Sequence, residues 1–263
     1  MLLHHHDAPI HGEGVAGWLA SWADLVGVVR ITEPGSLIRK RLRRELARVG
    51  LLRLIDVIAF RLYYRLTAAG RDRAWLDGRL ADLRARYPLP GSVPIIDVAS
   101  PNSAEAQAFL TECRPTLVIA LCKNILAERI FSIPRHGTMV FHPGICPEYR
   151  NAHGCFWALA SDDLARVGLS VLRIDRGIDT GPVLGYFSAE FDEVAESHII
   201  IQHRMLLDNL DGIAALLRRV QAGQAAPIDT AGRPSHEWGQ PWLTRYLRWK
   251  QQARQRRAAH DHA

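Results

Sequence analysis

Apolar residues along this chain fall into short continuous runs and longer stripes at helical spacing, with Gly- and Pro-containing joints between them. The run at 23–31 (ADLVGVVRI) predicts a buried strand, preceded by an amphipathic stretch at 15–22. Ahead of it, residues 1–6 have room only for the end of an earlier strand. From 34 to 86 the period lengthens. Leu37, Leu42, Leu46, Val49, Leu52, Ile55, Val57, Ile58, Phe60, Leu62 and Leu66 form apolar stripes, with Gly50 and Gly70 as expected breaks. This predicts an insertion of two or three basic helices packed on the core. A loop at 88–94 leads to a short strand at 93–98, and Ser103 has the chemistry to cap a helix that ends near Cys113. Residues 115–121 (PTLVIAL) and 137–141 (GTMVF) read as apolar strands joined by a crossover helix at 125–133, the order of a parallel sheet. Strands at 167–174 and 183–191, the second antiparallel to its neighbour, precede a long amphipathic helix at 197–220 that Gly223 ends.

Together these elements predict an α/β fold: a Rossmann-like, mostly parallel sheet with a helical insertion at about 34–86 and a C-terminal helix plus a short clasp. The α/β domain is expected over 1–223, with 224–263 a basic, Trp-rich extension folded back on the core. With 263 residues, 48% of them apolar, the chain can bury one large core. No apolar run reaches the roughly 20 residues of a bilayer helix, and the N-terminus lacks the order of a signal peptide. A cytoplasmic protein with no membrane partner is therefore expected. Cys113, Cys122, Cys146 and Cys155 form no CxxC pair, which predicts reduced thiols. No metal site is expected, because His4-His5-His6 lacks companion ligands. The net charge of +6 concentrates at 39–44 and 245–257, where solvated helix faces are the expected reading and nucleic acid is disfavoured.

Chemistry concentrates in two segments. One is Phe141-His142-Pro143-Gly144-Ile145-Cys146-Pro147-Glu148-Tyr149-Arg150, and the other runs from Ile174 through Asp179-Thr180-Gly181-Pro182 to Leu184. In each, an apolar β-rich run stops at a polar group and a Gly/Pro loop follows, as open α/β sheets present reactive side chains. An imidazole and a carboxylate brought together can exchange protons near neutral pH.

The succession Lys123-Asn124-Ile125-Leu126, His142-Pro143, Pro147-x-Tyr149-Arg150, Trp157-Ala158-Leu159 and Asp175-x-Gly177-x-Asp179-Thr180-Gly181-Pro182 resembles the folate-dependent formyltransferases. That family includes glycinamide ribonucleotide, methionyl-tRNA and nucleotide-sugar N-formyltransferases. The similarity is dense from 93 to 184. It implies an enzyme that moves a formyl group from 10-formyltetrahydrofolate to the amine of a small-molecule acceptor. By the same resemblance, His142 contacts the developing oxyanion or shuttles a proton, and Asp179 orients it and relays the amine proton. Lys123, Asn124, Ile125, Leu126, Arg176, Gly177, Ile178, Thr180 and Gly181 would bind the folate, and Tyr149, Arg150, Asn151 and His153 the acceptor.

One departure bears on activity. The family carries Asn two residues before this His, as an oxyanion donor, and this chain has Val140. Loss of such a donor typically costs about 10²–10³ in rate. Asn124 or Asn151 is a candidate replacement, and the alternatives are a noncatalytic folate- or metabolite-binding protein or a formyltetrahydrofolate hydrolase. The acceptor is left open. Gly12-Glu13-Gly14-Val15 keeps only the glycines of the purine enzymes' phosphate loop, and the stretch after Gly223 is too short for the β-barrel of the tRNA enzymes. A homodimer is a candidate assembly.

Overall fold

Five short runs pair in parallel: β1 (Leu2–His5), β2 (Val28–Ile31), β3 (Ile95–Val98), β4 (Val118–Leu121) and β5 (Thr138–His142). After the two-residue β6 (Arg150–Asn151), β7 (Leu169–Arg173) joins β5 antiparallel and β8 (Val183–Phe187) joins β7 antiparallel. The seven-stranded order is β3-β2-β1-β4-β5-β7-β8. This is the Rossmann-like α/β sheet expected from the sequence. The computed structural model describes residues 1–32 and 50–261, without the side chains of Leu51 and Leu52. Leu37, Leu42, Leu46 and Val49 of the expected stripes lie outside the described residues.

Successive strand residues point to opposite faces, and both faces are covered. Leu2, Val28, Ile119, Met139 and Phe141 enter the larger core, with Trp18, Phe60, Phe156 and Trp249. Leu3, Val29, Val118 and Ala120 enter the other, with Leu110 and Ile130. The larger face carries α1 (Ala16–Ala20), α2 (Leu51–Thr67), α3 (Ala69–Arg86), α6 (Gly154–Ala160), α7 (His198–Leu207), α8 (Leu210–Gln221) and α9 (Leu243–Asp261). The smaller face carries α4 (Ala104–Cys113) and α5 (Glu128–Phe131). Ser103 caps α4 as expected, its Oγ accepting from the Ala106 amide at 3.2 Å.

Several boundaries differ from the sequence expectation. The short first strand is central, paired with both β2 and β4. The strand expected from residue 23 begins at Val28, and the crossover helix at 125–133 shrinks to α5. The insertion breaks at Ala68 rather than Gly70, while Gly50 does precede α2. The helix expected over 197–220 is two helices. At the break, the Asn209 amide donates to Ser188 O at 2.9 Å and Met205 O at 3.1 Å, a side-chain alternative to continuing the helix.

The polar tail after residue 250 continues α9 to Asp261. Its sequence hides this because only Tyr246, Trp249, Lys250 and Ala253 face inward. Lys250 is buried, stacks over the Trp249 ring at 4.2 Å, and donates to the carbonyls of Glu193, Val194 and Glu196. Burial pushes its pKa down to about 8. Arg256 and Arg257 pair with Glu193 and Asp192. Part of the basic tail is thus engaged with the domain itself rather than with water.

Candidate active site

The strand order reverses between β1 and β4, the position at whose C-terminal ends open α/β sheets bind ligands. Lys123 N donates to His5 Nε2 at 2.9 Å there, tying the two strand ends together. His142 ends the next strand, β5, and is buried. Its Nδ1 lies 3.4 Å from Asp179 Oδ2, and its Nε2 lies 2.6 Å from Tyr149 O. The structure brings the sequence-identified imidazole and carboxylate together. A carbonyl only accepts, so Nε2 carries a proton. The other ring nitrogen, Nδ1, faces the Asp179 carboxylate.

Asp179 is held by more than His142. Its Oδ2 accepts from Asn151 N at 2.8 Å, and the Arg150 guanidinium donates to Ile178 O at 2.7 Å. Asp179, Asn151 and His153 all adopt positive φ, at 50°, 76° and 57°. Asn, Asp and His are the non-glycine types that tolerate this region best, at a cost of about 1 kcal/mol or more each. Behind them Gly144 and Gly154 approach so closely that a Cβ on Gly154 would lie 2.7 Å from Tyr149 O. Ser170, opposite His142 in the β5–β7 ladder, donates to Gly144 O at 2.6 Å and accepts from Cys146 N at 2.9 Å. Strand, loop and ladder together fix the carbonyl that holds the imidazole.

The remaining sequence-identified residues divide by place. Ile125 is 71% exposed at the end of β4, whereas Leu126 is buried in the smaller core. Arg176 forms an exposed pair with Glu128 at 2.8 Å, joining the start of α5 to the 175–180 loop. Gly177 N and Thr180 Oγ1 both donate to Asp175 Oδ1, at 2.9 and 2.7 Å. Gly181 is buried beneath that loop, and Asn124 is half-buried beyond the end of β4. Tyr149 OH donates to Asp163 at 2.9 Å, and burial raises its pKa. Asn151 commits its amide nitrogen to Trp238 O at 2.7 Å. Val140 lies with Cys146, Leu172, Val183 and Tyr186 in a small apolar cluster.

Sequence reasoning missed the groups that fix the reactive loop. Trp238 stacks between Tyr149 and Trp157, with centroids at 5.8 and 4.7 Å. Its strand β9 (Glu237–Trp238) pairs with β6. Arg233 grips the buried Glu148 with two bonds of 2.9 and 2.7 Å. The only sequence signal was the run of Trp after Gly223, which placed the extension on the core without naming the loop it holds. Among the described residues no group of three or more His, Cys, Asp or Glu could hold a metal ion.

Histidines crowd the same end of the sheet. Burial is the first cause of the low pKa of His153, about 4, with Lys123 and Arg61 pushing it further down. His11 falls to about 3 by burial and by neighbouring His203, and His198, 2% exposed, is also pushed well down by burial. The unfolded chain binds these protons below about pH 6.5 and the folded chain does not, so this stability is present above that pH and is lost on acidification. The unfolding free energy should fall between pH 7 and 5, with His198 contributing up to about 1.4 kcal/mol per pH unit. Urea midpoints at both pH values check this, and His198→Phe should flatten the slope.

The formyl transferase family model matches residues 96–190, which run from within β3 through β8 and include His142 and Asp179. That stretch is similar to the formyl transferase family. Methionyl-tRNA formyltransferase of Geobacter metallireducens is 29% identical over 134 residues, covering 50% of this chain and 42% of the relative. Human mitochondrial 10-formyltetrahydrofolate dehydrogenase is 31% identical over 116 residues, covering 44% of this chain and 12% of the relative. The chain thus spans less than half the length of these relatives. Among solved structures, phosphoribosylglycinamide formyltransferase from Anaplasma phagocytophilum matches with a TM-score of 0.54 at 13% identity, covering 91% of this chain and 97% of that one. At that identity the structural match speaks for the fold alone, and the similarity to formyl transferases rests on the sequence matches.

Proposed function

We propose that this protein transfers a formyl group from 10-formyltetrahydrofolate to the amine of a small acceptor. The observation that carries this reading is the 3.4 Å approach of His142 Nδ1 to Asp179 Oδ2 at the C-terminal edge of the sheet, inside the stretch that is similar to formyl transferases. The acceptor nitrogen attacks the formyl carbon and its carbonyl oxygen becomes an oxyanion. The amine proton passes to the Asp179–His142 pair, and the pair returns a proton to the departing folate nitrogen as the C–N bond breaks. His142 meets the oxyanion only if Nε2 exchanges Tyr149 O for it. Until then the imidazolium acts through its charge. Ile125, exposed in the segment between β4 and α5, offers an apolar face to the pterin. Gly177 N and Ile178 O are already bonded within the protein, so the pterin edge is read by other main-chain groups of that loop. Lys123, Asn124, Arg176, Thr180 and Gly181 complete the donor side, and Tyr149, Arg150, Asn151 and His153 frame the acceptor side.

The test is incubation with 10-formyltetrahydrofolate and a panel of amines, read by mass spectrometry for the formyl gain. No gain with any amine, amino sugars included, would sink the proposal. The apolar surround of Val140 favours a second reading, folate binding without turnover, which calorimetric binding with no product would select. Formate release without an amine would instead select hydrolysis. Val140→Asn should raise turnover by about ten-fold or more, since a missing oxyanion donor costs about 10²–10³. It should also lower the melting temperature, because the amide enters an apolar cluster. An unchanged rate would show that another donor already serves.

A further inference from the structure

Helix α2 is apolar on two opposite faces. Val57, Phe60 and Ala68 are buried against the core, and Tyr64 is half-buried beside them. On the far side Ile55, Ile58, Leu62 and Leu66 are 57, 51, 59 and 75% exposed. Their spacings of three and four residues align them in one outward stripe along the helix. Scattered exposed apolar residues need no explanation, but four large ones in one stripe do. Leu247, 45% exposed, lies one turn along α9 from Thr244, whose hydroxyl donates to Asp56 of α2 at 2.5 Å.

The charge around the stripe is mostly positive. Between Leu51 and Arg73 the arginines Arg53, Arg61, Arg65, Arg71 and Arg73 are all exposed. Both acids in that span are engaged internally: Asp56 with Thr244, and the buried Asp72 with Tyr64 and Ser197. Helix α9 has no acid before Asp261 and exposes Arg245, Arg248 and Arg254. Arg53 and Arg245 stack on the half-buried Trp242, at 5.0 and 6.0 Å, which adds an amphipathic aromatic to the rim.

We infer that α2 docks this protein on an anionic lipid surface, with the Ile55–Leu66 stripe entering the headgroup–acyl boundary and the arginines meeting lipid phosphates. The stripe offers only a few hundred Å², well below the roughly 800 Å² per partner of a stable protein interface. Two copies would bring arginines of like charge together. A bilayer needs neither a matching groove nor a minimum area, and it supplies the missing negative charge. No helix of the described residues is long and apolar enough to cross a membrane, so the contact is peripheral. Linear hydropathy, which gave the expectation of no membrane partner, does not register apolar residues spaced three and four apart.

The experiment is co-sedimentation of the full chain with vesicles of phosphatidylglycerol and phosphatidylcholine in equal parts, against vesicles of phosphatidylcholine alone. Binding should be about ten-fold or more tighter on the anionic vesicles and should weaken with salt. Leu62→Ser combined with Leu66→Ser should abolish it with an unchanged circular dichroism spectrum. Arg65→Gln combined with Arg71→Gln should weaken only the anionic preference. Absence of binding to the anionic vesicles, or binding that the serine pair leaves intact, would overturn the inference. So would a dimer in light scattering that the serine pair dissolves, since the stripe would then belong to a second copy.

Discussion

Asp179→Asn is expected to slow formyl transfer by about 10²–10⁴-fold, the range of a lost proton-transfer group, while folate affinity stays within a few-fold. The amide can still accept from Asn151 N through its oxygen, so the loop keeps its anchor. What disappears is the carboxylate 3.4 Å from His142 Nδ1, and with it the group proposed to take the amine proton. Single-turnover rates alongside calorimetry of donor binding separate chemistry from affinity. A variant with native turnover would remove the carboxylate from the mechanism, and one that loses folate binding as well would show that Asp179 holds the loop rather than the proton.

Gly181→Ala should be the most damaging single methyl within residues 96–190. A Cβ at this position would lie 1.8 Å from Arg173 O and 3.0 Å from its carbonyl carbon, and both are backbone atoms that cannot swing away. The loop bearing Asp179 leaves β7 and returns against it here, where Arg173 N donates to Pro182 O at 3.0 Å. Relief requires the loop to move as a unit. A stability loss of at least about 1–3 kcal/mol is expected, together with loss of turnover even where the variant still folds. Thermal melting and activity of the same preparation test both. A variant with native melting and native rate would show that the loop has slack the structure does not contain.

The parallel sheet was legible because each strand is a short apolar run, and the pair His142–Asp179 because each residue follows such a run at a Gly/Pro loop. The failures share a physical origin. Residues 197–220 keep one helical stripe through Asp208–Asn209, so periodicity alone did not register that the Asn209 side chain would bond the backbone and split the helix. Helix α9 was not legible within the basic, Trp-rich extension because it buries only a narrow face, including a lysine whose charge is met by carbonyls. The stack on Trp238 is a contact between positions some ninety residues apart, and no local pattern encodes a partner at that distance.

That long-range stack also orders events during synthesis. The strands and His142 are made well before Trp238 and Gly239, whose carbonyls receive the Asn151 and Trp157 side chains. A nascent chain can therefore assemble the seven-stranded sheet while the loop at 144–154 still lacks its clamp, which closes only once residue 239 has left the ribosome. Protection of that loop from protease on stalled chains, appearing only once residue 239 has emerged, is the corresponding signature.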